Sequence, residues 1–220
     1  MRIAPAAPSR PSGSLGGELE HQIAIPSFVI LPVSQPVLSL ADITDLERAY
    51  ALGAPTLGLA AAALLARWQL PLRDEETFLR LAFLSWYREH EPEWLTGLEA
   101  PLPAVEALVE DRGGENRLQP EARFTIAVLW DLFPPLGADD TAVRQRAGSW
   151  AEQAAVVEPT SRLFSEWRYI LREVEDTSGP RVYIEPEIQA RYAGRGAMGA
   201  YLAHTLMARL RPGGPLRAAT

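Results

Sequence analysis

Nineteen prolines cut this chain into short pieces, and their spacing constrains the fold more than any other feature. Proline donates no backbone hydrogen bond and clashes with the preceding helical turn, so it opens or ends helices and is excluded from central strands. Between the prolines lie segments whose apolar residues recur at three- and four-residue spacing, the period of a helix buried on one face.

Ser39 and Asp42 have the spacing of a capping box. Ile43, Leu46, Ala49 and Tyr50 then follow one helical face, until Gly53 and Pro55 break the chain. A second helix runs to Leu70. Asp74 opens a third, with acids in its first turn where the helix dipole favours them. Its apolar residues are Phe78, Leu79, Leu81, Ala82, Phe83 and Trp86, and it ends near His90, ahead of Pro92. Trp94–Leu98 reads as one more turn and Pro103–Glu110 as a short helix. Pro120 suits the first position of the next helix, which Pro134 and Pro135 stop after Phe133. Asp139 or Asp140 caps a helix to about Val157, and Pro159 and Thr160 open another through Leu171. DTSGP at 176–180 is a turn, and Arg181–Glu185 reads as a short strand. Pro186 starts a last helical region that runs past a cluster of glycines to about Leu210.

The expected architecture is all-α, an irregular bundle or helical-pair array of about seven to eight helices over residues 39–212. The polar stretch at 110–118, with two glycines, is the candidate hinge. Residues 213–220 are expected to fray. Three segments, FLRLAFLSWY, FTIAVLWDLF and FSEWRYIL, resemble one another and start at residues 78, 124 and 164. Those intervals fall near helical-pair repeat periods, which keeps the array open as an alternative.

Residues 1–38 read as an arm. The first 22 are rich in Pro, Gly, Ser and Ala and bury too little apolar surface to offset ordering. Residues 23–36, IAIPSFVILPVSQP, are apolar and β-branched but interrupted by Pro26, Pro32 and Pro36, so they suit an extended arm or edge strand. Ile23, Ile25, Phe28, Val29 and Ile30 are its candidate partner-binding residues, docking on the parent domain or adding to a neighbour.

Composition removes whole classes of chemistry. Hydrophobic content of 47% with 22% charged residues is that of an ordinary globular chain. There is no cysteine, hence no disulfide, thiolate metal site or cysteine nucleophile. Every basic residue is arginine, so Schiff-base lysines and the phosphate-loop lysine are excluded. The three histidines, His21, His90 and His204, are not at helical ligand spacing. The lone E-x-x-H, Glu18 to His21, lies in the arm, whereas a di-iron bundle needs two such motifs on helices. No metal and no cofactor is expected. The longest apolar run, Ala54–Ala66, is too short to span a bilayer and reads as a buried helix, so no membrane contact and a cytoplasmic location are expected.

The sequence GRGAMG at 194–199 matches a dinucleotide-binding fingerprint, but that motif needs a strand before it and an acid about 20 residues after it. Here the preceding residues, EIQARYA, are helical in pattern, and nothing acidic follows Gly199. Two readings remain. Gly196, Ala200, Ala203 and Met207 could allow close helix packing beside a core stripe of Met198, Tyr201, Leu202 and Leu206. Alternatively, Arg191 and Arg195 with Gly196 and Gly199 could bind an anion at a helix start, with Tyr192 beside them. His90, between Glu89 and Glu91, is the one candidate base, although sequence neighbours do not share a helix face. Asp139 and Asp140 are explained by capping, and the six tryptophans mostly by the core.

The net charge of −7 is unevenly spread. Residues 74–115 hold eleven acids and three arginines; residues 181–220 hold six arginines and two glutamates. Nucleic acid is therefore not the expected partner. With no catalytic constellation legible, the expected function is a non-catalytic interaction, adaptor or assembly protein, with a protein partner or second copies of itself. A helical small-molecule-binding protein or enzyme, with an anion site at 191–199, is the alternative.

Overall fold

The computed structural model describes residues 37–71, 73–171 and 184–210. Among these residues there are ten α-helices, one short 3-10 turn and no strand. In chain order they are α1 (Leu40–Ala51), α2 (Leu57–Trp68), α3 (Glu75–His90), α4 (Glu93–Thr96), α5 (Val105–Asp111), α6 (Pro120–Leu132), α7 (Asp140–Val157), α8 (Arg162–Leu171), α9 (Glu185–Tyr192) and α10 (Gly196–Leu210). The arm residues Ile23, Ile25, Phe28, Val29 and Ile30, the turn at 176–180 and the tail at 213–220 lie outside the described residues.

The helix starts follow local chemistry. Ser39 Oγ accepts from the Asp42 N–H while the Asp42 carboxylate accepts from the Ser39 N–H, a reciprocal cap that satisfies two orphan donors. Asp74 accepts from the Thr77 N–H at 2.8 Å and so caps α3. Asp139, the N-cap of α7, accepts from Thr141 and Ala142. Pro120 occupies the first turn of α6, where its missing N–H costs nothing.

α3 and α6 form the inner pair. Every residue of α3 from Thr77 to Trp86 is buried, as is every residue of α6 from Phe124 to Asp131. A helix buried on all sides has no solvent stripe, which is why these two are nearly continuous apolar runs in the sequence. α2, α5 and α10 pack on α3, and α7 packs on α6 with α8 beyond it. Paired aromatics fix this second layer: Trp130 stacks on Trp150 at 5.0 Å, and Phe124 on Phe164 at 4.4 Å. α10 returns to pack on α1 as well as α3, so the chain closes on itself as an irregular bundle.

Two expectations at the C-terminal end are corrected. The last helical region is not continuous: Gly194 and Gly196 adopt φ of +76° and +61°, the left-handed region, and split it into α9 and α10. The helix restarts at Gly196. The expected strand at 181–185 is also overturned where it can be seen, since Ile184 is the N-cap of α9 and Glu185 its first residue. Residues 181–183 lie outside the described residues. No helix among the described residues is long and apolar enough to cross a membrane.

Candidate functional site

The turn between α9 and α10 brings Arg191, Arg195, Gly196 and Gly199 together, against carboxylates of the same chain. Arg195 bonds Glu76 through Nε at 2.8 Å and Nη2 at 2.5 Å, and also meets Glu121. Burial opposes its charge, but the Glu76 bond and the charges of Glu76 and Glu121 outweigh burial and hold the guanidinium more firmly protonated than usual. Arg191 bonds Glu158 at 2.6 Å and lies over the Phe164 ring. An anion entering here would compete with carboxylates already seated on both forks. The glycines serve close packing. A Cβ on Gly199 would overlap the Tyr192 carbonyl, and one on Gly196 would overlap the Glu47 carboxylate. Met198, Leu202 and Leu206 are buried as the core stripe, and Tyr192 is buried beneath Arg195.

Behind this turn lies a buried ionic network that spans five helices with α5 at its edge. Arg80, in the middle of α3, reaches Glu76 at 2.7 Å, Thr44 at 2.8 Å and Glu47 at 3.1 Å. Its side chain is 4% exposed and that of Glu47 is 1% exposed. Glu47 also accepts from the Ala197 N–H at 3.3 Å, which fastens α1 to the first turn of α10. Glu75 beside it pairs with Arg112 at the end of α5. The one sequence signal for this network is the lone arginine inside the apolar run FLRLAFL.

His90 packs on Trp86 and Phe133, with ring centroids 5.0 and 5.2 Å away. Burial lowers its pKa, outweighing Glu89 and Glu91, and its buried Nε2 has no hydrogen-bond partner. The Glu89 carboxylate instead accepts from the Leu136 N–H. No group of three or more potential metal ligands occurs among the described residues.

The surface feature not anticipated is Trp94. The other five tryptophans are buried, but Trp94 is 80% exposed. The carbonyl of Gly97, the left-handed cap of α4, sits where a Cβ on Gly58 would go, so the end of α4 rests on the first turn of α2. A Cβ on Gly97 would likewise meet the Pro55 carbonyl. Leu52 (84% exposed), Leu59 (61%), Leu95 and Trp94 are all no more than three residues along the chain from this backbone junction. Glu91 and Glu99 flank it in sequence without an ion pair among the described residues, and Glu93 is 3.7 Å from Arg88. The short helix hides this corner from sequence reasoning, because four residues are too few to show an apolar period.

The junction itself can be tested. Gly58→Ala is expected to cost about 1–3 kcal/mol, because backbone on the facing side cannot yield to the new methyl. Gly148→Ala in α7, where a Cβ meets nothing within 4 Å, is the contrast. It is expected to stabilise by about 0.5–1 kcal/mol through helix propensity. Melting temperatures of the two variants moving in the same direction would refute the close approach.

No protein-family model, curated protein or solved structure matches this chain.

Proposed function

We propose that this chain is a non-catalytic interaction protein, an adaptor or assembly subunit, and that the acid-flanked apolar corner of α2 and α4 is a docking face. The observation that carries the reading is the exposed Trp94, with the exposed Leu52, Leu59 and Leu95, each within three residues along the chain of the backbone junction formed by Pro55, Gly58 and Gly97. Tryptophan is the residue most enriched at binding hot spots, because it removes a large apolar area from water with little side-chain entropy to lose. Single exposed leucines are ordinary, whereas several beside an exposed tryptophan mark an interaction surface.

The charge distribution selects the partner. The α4 side of the corner lies in the stretch of eleven acids and three arginines, so it suits a basic segment with an apolar anchor. Residues 211–220 of a second copy, with Arg211 and Arg217 and no acid, have that charge, whereas Arg191 and Arg195 are already paired within the fold. Such head-to-tail contact builds rings or filaments rather than two-fold dimers. The apolar arm residues 23–30 would supply a second contact by strand addition.

Light scattering of the full chain at low and high salt tests this. An oligomer that salt dissociates is expected, since exposed charge contacts are screened. Trp94→Ser is expected to weaken it by about 30-fold, corresponding to a hot spot of about 2 kcal/mol. A monomer under both conditions, or an oligomer that Trp94→Ser leaves intact, would rule out this mode of self-assembly.

A further inference from the structure

A cleft of about 690 Å³ lies between the end of α2, the end of α5 and the start of α6. Its polar walls are Gln69, Arg73, Arg112, Arg117 and Gln119, with Asp111 as its one acid. We propose that this cleft is a binding site for a small phosphate monoester, with Arg117 as the principal phosphate ligand. The proposal is independent of the docking face.

The fold has already used most of the charged groups at this cleft. The Asp111 carboxylate is taken up by Arg73 at 2.8 Å and by the Trp68 indole N–H at 2.7 Å. The Arg73 guanidinium also donates to the Asp111 carbonyl and lies over the Trp68 ring, so it is held in place. Arg112 is held in turn by Glu75 and by the face of Phe78. The one acid of the cleft is thus neutralised by Arg73, and Arg112 is neutralised by Glu75. Arg117 is the third guanidinium. It has no carboxylate partner among the described residues, so the cleft keeps one uncompensated positive charge.

Arg117 is also positioned. Its Cγ lies 3.2 Å from where a Cβ on Gly113 would be, so the side chain folds back across the turn after α5. Gly113 adopts a φ of +106°, which a side-chain-bearing residue rarely takes. The carboxamides of Gln69 and Gln119 have no hydrogen-bond partner among the described residues. Gln119 is the N-cap of α6 but does not cap it with its side chain, so the positive end of a 13-residue helix is left open at this wall. These groups offer only donors of positive charge and neutral amides. A guanidinium fork grips two oxygens at once. A phosphate monoester presents three terminal oxygens and close to two charges at neutral pH, so it can use Arg117 together with a neighbouring donor where a single carboxylate would leave one idle. The volume falls in the range of small-molecule sites and leaves room for the esterified group beside Leu70 and Pro71.

The probe is phenyl phosphate, with phenol as its uncharged counterpart, titrated into the full chain while the Trp68 indole N–H resonance is followed by NMR. Phenyl phosphate is expected to give a saturable shift with a Kd of about 1 mM or tighter, and phenol none. Arg117→Gln should weaken phenyl phosphate by about tenfold, the effect of losing one charge-assisted hydrogen bond. Because Arg117 is exposed and makes no ion pair, this variant should melt where the parent does. Arg48→Gln, whose ion pair lies on exposed α1, should leave the affinity unchanged. No saturable shift, equal binding of phenol, or equal binding by Arg117→Gln would each overturn the proposal.

Discussion

At pH 8, where Glu47 is ionised, replacing Arg80 by methionine is expected to destabilise the protein by about 3–5 kcal/mol, the cost of breaking a buried ion pair by removing one partner. Methionine matches the aliphatic stem and fills most of the space, so little of the loss would come from a cavity. The cost arises because Glu47 is 1% exposed and would keep only the Ala197 N–H, with Arg80 gone from 3.1 Å away. Glu76 would still hold Arg195, so the damage is local to the junction of α1, α3 and α10. Arg48→Met is the control. Its pair with Asp45 leaves both side chains 67% exposed, and such pairs contribute about 0–1 kcal/mol. Urea unfolding midpoints would decide between the two. Losses of equal size would mean that the Arg80 pair is no more than a solvated contact.

Stability is also expected to fall as pH rises from about 5 to 8, because of Glu47. Around Arg80 and Arg195 stand three carboxylates, Glu47, Glu76 and Glu121. Two guanidinia neutralise two of them, and the third is better protonated. The most buried takes the proton: burial, opposed by Arg80 and by the Ala197 amide, raises Glu47 from 4.5 to about 7. In the unfolded chain the same group releases its proton near its ordinary value. Between these two values the native state holds a proton that the unfolded state does not, so rising pH favours unfolding. The stabilisation is complete below the unfolded value and is lost as pH passes through the folded one. Its size, at 1.36 kcal/mol per pH unit, is on the order of 3 kcal/mol. His90 and Asp74, whose pKa values are lowered in the fold, slope the other way. The diagnostic quantity is therefore the difference between parent and Glu47→Gln. The glutamine variant should match the parent near pH 5 and exceed it at pH 8. Parallel stability curves across that window would show that Glu47 does not carry the proton.

Several helix boundaries were legible because they depend on neighbours within four residues. The Ser39–Asp42 box and the caps at Asp74 and Asp139 are such local contacts, and all three form. The continuous apolar runs of α3 and α6 marked the core for the same reason, since a run without a polar face has only the interior to go to. The split between α9 and α10 is not legible in the sequence, because Gly196 reads equally well as a packing glycine inside one helix or as part of a helix start. Gly194 and Gly196 both take left-handed backbone angles there, and the space beside Gly196 is filled by the carboxylate of Glu47 from α1, far away in sequence.

The same division holds for the candidate surfaces. Sequence alone determined the all-α class, the absence of cysteine and lysine chemistry, and the acidic and basic ends of the charge distribution, because composition and short-range periodicity suffice for these. Only the tertiary structure decided which charges are spent and which remain. Arg191 and Arg195 looked available but face Glu158, Glu76 and Glu121. Arg117 carries no distinguishing sequence signal but has no such partner among the described residues. Trp94 resembled its five buried counterparts until α4 was seen to rest on α2 by its backbone, with the indole turned outward. The physical reason is that a side chain's chemistry is set by what approaches it in space, and pairings across 30 to 150 residues leave no local pattern.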